Sequence, residues 1–275
     1  MERRQKTIKR EFSYTGIGLH TGRDVTIKCK PLGSDKGIIF KRVDLEGQIK
    51  IEAEIDNVVS TQRCTTIGKD KVNINTIEHL MAAINVLNID NLLIEIDSNE
   101  PPITDGSAGV FYTLLNDAGI KEEEATKEVY QIKEPIYVSE DDQYLVLLPH
   151  DEFKVSYTFV SNHPTLEDQF AEFEISKEIF IKEIAPARTF GFAHEVEALQ
   201  KQGLALGGSL DNAILVGDYG PINDLRFDNE FVRHKILDII GDMKLAPEFN
   251  GHIIGVRSGH RLNSILSKKI KERLF

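Results

Sequence analysis

Between residues 231 and 245 the apolar residues Val232, Ile236, Ile239, Ile240 and Met243 recur at the spacing of one helical face. This stretch is therefore predicted to be an amphipathic helix. A second helix is predicted after Thr76, where Ile77, Leu80, Met81, Ile84 and Leu87 form the apolar set. Elsewhere the period shortens to two. Val25, Ile27 and Cys29 alternate with polar neighbours, and residues 7–14, 25–30, 37–43 and 49–55 read as short strands. A second run of strands is predicted at 130–137, 144–148, 154–160 and 169–174. The acidic stretch 121–127 between the two runs, with Glu122, Glu123 and Glu124, reads as a solvated linker. The segment from Gly16 to Gly22 is too rich in glycine for regular structure.

The order of elements repeats. After Thr76 the chain reads helix, strand at 91–97, loop, then a helix from Ser107; after Val232 it reads helix, strand at 252–257, tight turn, then a helix from Gly259. Each unit carries a histidine early in its first helix, His79 in one and His234 in the other. Strands followed by helices, twice over, imply an α+β fold of two domains, at 1–124 and 125–275. Units packed face to face would bring the two histidines to a common interface, where substrate pockets often form.

Composition narrows the classes. The 275 residues suffice for two modest cores or one large one. No apolar run approaches the roughly 18 residues of a membrane span. The polar start, Met1 to Lys6, lacks the apolar stretch of a signal peptide, so a cytoplasmic protein is expected. Two cysteines, Cys29 and Cys64, give no disulfide framework and are expected to be reduced. With 44 acidic against 33 basic residues the net charge is −11, which argues against a nucleic-acid partner but leaves room for a local phosphate pocket.

On the downstream helix His234 and Asp238 stand four residues apart, on one face and about 6 Å apart along the axis. They can converge on one cation, although such a pair seen alone is more often a plain hydrogen bond along the helix. Asp242 lies about 12 Å along the axis from His234 and is rotated by about 80°, so an orienting role suits it better than ligation. Upstream, Asn75 and Glu78 have capping-box spacing, which by itself would leave Glu78 a structural role. His79 sits among apolar residues, as a metal ligand or as a satisfied core histidine. Because i and i+1 point about 100° apart, one of Glu78 and His79 can bind metal while the other reaches a water molecule.

Three further stretches carry candidate chemistry. In Arg257-Ser258-Gly259-His260 a strand ends in a turn that presents His260 near a helix start. A helix N-terminus disfavours a charged imidazole, so an acidic role for His260 needs a carboxylate such as Asp242; a capping role is the alternative. In Ala187-Arg188-Thr189-Phe190-Gly191-Phe192, Thr189 offers a hydroxyl to a developing oxyanion, or the segment is a plain loop-to-helix junction. The stretch 203–210 lacks the Gly-Lys-Ser/Thr ending of a P-loop and reads as an apolar, mobile hairpin.

The strings TIEHL, GLHTG, PITDGSA, ARTFGF, GLALGGSLDNAI, FVRHKILDIIGD and RSGHRLN occur in this order over about residues 6–270. Together they closely resemble the UDP-3-O-acyl-N-acetylglucosamine deacetylases, zinc enzymes of lipid A biosynthesis. The resemblance implies two domains of similar topology, each a mostly antiparallel sheet with two packed helices, enclosing the active site. It also implies an inserted acyl passage near 187–216. By the same resemblance His79, His234 and Asp238 would bind one Zn2+ per chain, with Fe2+ the alternative in the cell, and Glu78 would be the general base. Thr189 would stabilise the oxyanion, His260 oriented by Asp242 would be the acid, and Lys235 would face substrate phosphate. Phe190, Leu204, Gly208, Ser209, Leu215 and His20 would contact the amphipathic UDP-sugar.

Arg188 and Arg257 are further phosphate candidates behind Lys235. The chain is expected to act as a monomer, with at most transient contact with the inner membrane surface. One departure is visible at Phe159-Val160-Ser161-Asn162-His163-Pro164, where many relatives carry an acidic residue before the Asn-His-Pro segment. Other readings are an amidohydrolase for a different acylated sugar or peptide, and a silent nucleotide-sugar binder; retention of Glu78 and all three ligands speaks against the latter.

Overall fold

The computed structural model describes residues 1–275. In chain order the first half contains β1 (Glu2–Ile8), β2 (Phe12–Ile17), β3 (Asp24–Pro31), β4 (Ile38–Arg42), β5 (Lys50–Glu52), β6 (Val58–Ser60), β7 (Thr66–Lys69), β8 (Val72–Ile74), α1 (Glu78–Val86), β9 (Leu92–Ile96), α2 (Gly109–Asp117) and β10 (Ile120–Glu128). The second half contains β11 (Tyr130–Gln131), β12 (Ile136–Glu140), β13 (Gln143–Leu148), β14 (Phe153–Phe159), β15 (Gln169–Glu174), the short α3 (Lys177–Ile179), β16 (Phe190–Phe192), α4 (Ala193–Lys201), β17 (Ile214–Gly217), β18 (Gly220–Pro221), α5 (Glu230–Met243), β19 (Phe249–Val256) and α6 (His260–Leu274).

The repeat read from the sequence holds at the level of topology. One sheet has the order β2-β3-β9-β4-β5 and the other β12-β13-β19-β14-β15, so each places the strand after its first long helix at the centre. That central strand is antiparallel to one neighbour and parallel to the other in both sheets. The period-two pattern has its expected cause: along β19 buried and half-buried residues alternate without a break. Helices α1 and α5 pack against each other. A single apolar cluster of 55 residues runs through both halves, so one continuous core forms rather than two. Full burial of side chains such as Leu80 and Ile236 contributes about 1.5–3 kcal/mol each. No helix is long and apolar enough to cross a membrane.

Five expectations need correction. Residues 121–127 are not a linker: they lie in β10, which pairs antiparallel with β1. The charge run misled because this two-stranded ribbon keeps its acidic residues at least partly solvated and sets them beside basic partners, as in Lys6 opposite Glu122. Residues 7–14 are broken between β1 and β2, and residues 130–137 between β11 and β12. Residues 49–55 give only β5 before the chain turns into a 3-10 helix at Ile55–Asn57. Residues 203–210 form no hairpin: they are a turn-rich loop between α4 and β17, while β16 pairs parallel with β17 and β17 with β18.

Candidate active site

The capping-box reading of Glu78 fails, because α1 begins at Glu78 itself and Ile77 precedes it without a side-chain cap. The helix start leaves Glu78 and His79 facing α5, both buried. On α5, His234 and Asp238 are equally buried, and ligand atoms of His79, His234 and Asp238 lie within 4.8 Å of one another. His234 Nε2 is 3.4 Å and His79 Nε2 4.0 Å from Asp238 Oδ1. Ligands at tetrahedral zinc distances lie about 3.3 Å from each other, so the spacing fits.

Hydrogen bonding also fits a cation. His234 Nδ1 lies 3.1 Å from the Ala187 carbonyl oxygen, to which it donates, leaving Nε2 unprotonated toward the cluster. Lys235 Nζ donates to Asp238 Oδ2 at 2.8 Å, while buried Asp238 Oδ1 has no hydrogen-bond partner. Burial, reinforced by the neighbouring His234, pushes His79 down to about 3. Burial likewise lowers His234. For Asp238 burial acts upward, but Lys235 and the imidazoles hold it well below the usual carboxylate range. Neutral imidazoles and an ionised carboxylate are the forms a divalent metal binds. This His-His-Asp set is the candidate metal site.

Beside the cluster stand two groups suited to proton transfer. Burial pushes Glu78 up to about 7, with Asp242 and Asp238 adding to the effect and His260 opposing it. His260 Nε2 is 3.9 Å from Glu78 Oε1, and His260 Nδ1 is 2.8 Å from Asp242 Oδ2. Burial and the start of α6 both disfavour an imidazolium there. Asp242 and Glu78 outweigh burial and raise His260 to about 9.

Thr65, a residue without a motif of its own, ties these groups together. Its backbone N–H donates to Glu78 Oε2 at 3.1 Å and its hydroxyl to Asp242 Oδ1 at 2.5 Å. Asn263 Nδ2 donates to Asp242 Oδ2 at 2.8 Å. Asn263 stands one helical turn after His260 on α6, whereas Thr65 has no helical relation to the site and only the fold brings it there.

The cluster opens into a cavity of about 670 Å³ whose wall includes His20, Thr189, Phe190, Lys235 and His260. Gly208, Ser209 and Leu215 also line it, but Leu204 does not; Ala205 and Leu199 of α4 do. The Phe190 ring packs edge-on to Phe231 at 5.0 Å, and Lys235 Nζ lies 5.3 Å from its centre. Arg188 is unavailable to a ligand, being buried against Glu230 in a two-pronged ion pair. Arg257 pairs with Asp142 outside the cavity. The second long cation on the wall is instead Arg63, paired with Glu195 at 2.9 Å. At the departing segment Phe159 lines the cavity and His163 stacks on Phe192 at 5.8 Å. Cys29 and Cys64 are free and buried.

Residues 5–272 match the family model described as LpxC, UDP-3-O-acyl N-acetylglycosamine deacetylase. A relative from Alcanivorax borkumensis is 46% identical over 272 residues, covering 97% of this chain and 90% of its own length. One from Geobacter sp. (strain M21) is 44% identical, with 98% and 89% covered, and one from Leptospira biflexa 45% identical, with 98% and 90% covered. All three bear the name UDP-3-O-acyl-N-acetylglucosamine deacetylase. A match of this extent, over a chain whose two halves share one topology and meet at a His-His-Asp cluster, makes the chain a member of the UDP-3-O-acyl-N-acetylglucosamine deacetylase family.

Proposed function

We propose that this chain hydrolyses the acetamide of UDP-3-O-acyl-N-acetylglucosamine, giving acetate and the free amine of the UDP-3-O-acyl sugar, the committed step of lipid A biosynthesis. Family membership over nearly the whole chain supports the reaction. The observation that carries the mechanism is the placement of a base and an acid, Glu78 and His260, beside the three candidate ligands.

His79, His234 and Asp238 would hold one divalent ion, which we assign as Zn2+ with Fe2+ the alternative. When bound, it supplies Lewis-acid polarisation of the scissile carbonyl and acidifies water. Glu78, as carboxylate, takes a proton from the attacking water while the water oxygen bonds to the acetamide carbon. The Thr189 hydroxyl donates a hydrogen bond to the carbonyl oxygen as negative charge develops on it. His260, held as imidazolium by Asp242, passes its Nε2 proton to the amine nitrogen as the C–N bond breaks. Asp242 stays ionised throughout and keeps Nδ1–H in place.

Lys235 and Phe190 would contact the substrate's polar head, and Gly208, Ser209 and Leu215 its acyl chain, with His20 nearby. We place the division between domains within β10, at residues 124/125, and take the enzyme to be a cytoplasmic monomer touching the inner membrane surface at most transiently. The test is acetate release from the UDP-sugar, with and without a chelator. Substrate conversion unaffected by metal removal and by Glu78→Ala would overturn the assignment.

A further inference from the structure

Glu100 takes no part in the chemistry above, yet it is fully buried. Its carboxylate accepts hydrogen bonds only from backbone: from His20 N–H at 3.1 Å to each oxygen, and from Thr21 N–H at 2.7 Å. A buried carboxylate is tolerated where several N–H groups converge on it. The Gly18–Gly22 turn is wrapped around this one anion. Gly18 is required by the approach, since a Cβ there would stand 2.4 Å from Glu100 Oε1.

The outer edge of the same turn holds the cavity wall. Leu206 N–H donates to His20 O at 3.2 Å, Gly207 N–H to Leu19 O at 3.0 Å, and Ala205 N–H to His20 Nδ1 at 3.3 Å. Burial lowers the His20 pKa and so keeps Nδ1 free to accept. The fit is close on both sides: a Cβ on Gly207 would lie 2.2 Å from the Gly18 carbonyl oxygen, and one on Gly22 3.1 Å from the Leu206 carbonyl carbon. Leu19, His20, Ala205, Gly208 and Ser209, which flank these contacts, all line the cavity. The inserted segment therefore takes its position from the turn, and the turn from Glu100.

We propose that Glu100 is a positioning residue that sets the width of the apolar part of the cavity, and through it the enzyme's preference for acyl-chain length. This rests on the deacetylase reading above. Glu100 touches neither the ligand cluster nor the cavity, so its loss is felt by the acyl chain and not by the bond being broken.

The experiment compares Glu100→Gln with wild type on two UDP-sugar substrates, one with a long and one with a short 3-O-acyl chain. The glutamine keeps the shape but sets an NH2 against a backbone N–H. The expected result is a KM for the long-chain substrate raised about tenfold with kcat within about twofold, and near-wild-type values on the short-chain substrate. Gly207→Ala, which breaks the same contact from the other side, should give the same chain-length dependence and serves if Glu100→Gln does not fold. Equal effects on both substrates, or none, in a folded variant overturn the proposal. Wild type that releases no acetate from either substrate would instead overturn the deacetylase reading.

Discussion

Gly241 of α5 lies directly on the backbone of Glu78 in α1: a Cβ at Gly241 would stand 2.1 Å from the Glu78 carbonyl oxygen and 2.8 Å from its carbon. The two helices meet here without a side chain between them, and Asn85 Nδ2 donates to the Ile240 carbonyl at 2.7 Å nearby. This contact spaces the candidate ligand His79 of one half from the candidate ligands His234 and Asp238 of the other. Gly241→Ala must push the helices apart, at a cost of about 1–3 kcal/mol or more. A lower melting temperature and weaker metal binding by titration are the expected outcomes. Unchanged metal affinity would mean that the helix spacing does not govern the site.

Removal of the base and removal of a ligand should separate cleanly. Glu78→Ala is expected to lower kcat by about 10²–10⁴-fold while the metal stays bound. His234→Ala should lose the metal itself. Metal content by elemental analysis, set beside acetate release, distinguishes the two; full activity in either variant contradicts the role given to that residue.

The pH profile should be bell-shaped. Glu78 must be deprotonated to act as base, so with its pKa near 7 in the metal-free protein the rate rises as pH rises through that region. A divalent cation alongside favours the carboxylate and moves this limb to lower pH. His260 must be protonated to act as acid, so the rate falls as pH rises through about 9. His260→Gln should flatten the alkaline limb, and its persistence in that variant would place the acid elsewhere.

Thr65 offers a test of coupling across the two halves. Thr65→Val deletes the hydroxyl that donates to Asp242 but keeps the backbone N–H to Glu78. A loss of about tenfold in kcat is expected, the scale of one charge-assisted hydrogen bond, with Thr65→Ser close to wild type. Equal loss in the serine variant would point to packing of the methyl group instead.

Stability in acid should depend on a clasp remote from the site. Arg3 bridges Asp90 of one half and Glu248 of the other, the first contact at 2.7 Å. Burial acts to raise Asp90, but Arg3, Lys244 and Lys127 outweigh it and hold the carboxyl at about 2. A depressed folded-state pKa contributes stability that is complete above the unfolded value near 4 and is lost as pH falls toward 2. Asp90→Asn should therefore flatten the melting-temperature profile between pH 4 and 2, which thermal scans in that range would reveal.

The elements with a strong period were legible from the chain alone. The face of α5, the alternation of β3 and the repeated helix–strand–helix order follow from local spacing, because burial on one face imposes a period that survives any detail of packing; that His79, His234 and Asp238 share one candidate site came from the resemblance of their motifs. Local reading went wrong where the deciding partner was distant in sequence. β10 looked like a linker until β1 lay beside it, and Glu78 looked like a cap until the helix was seen to start at Glu78 itself. Thr65 and Glu100 lie outside every motif, and Gly241 and Asn263 fall inside motifs that do not reveal their roles, since each acts through hydrogen bonds or a close approach to another chain segment. Ligand chemistry is thus written in residue type and spacing, whereas the distances that tune it arise only when the two halves pack, because they are properties of pairs that no single segment contains.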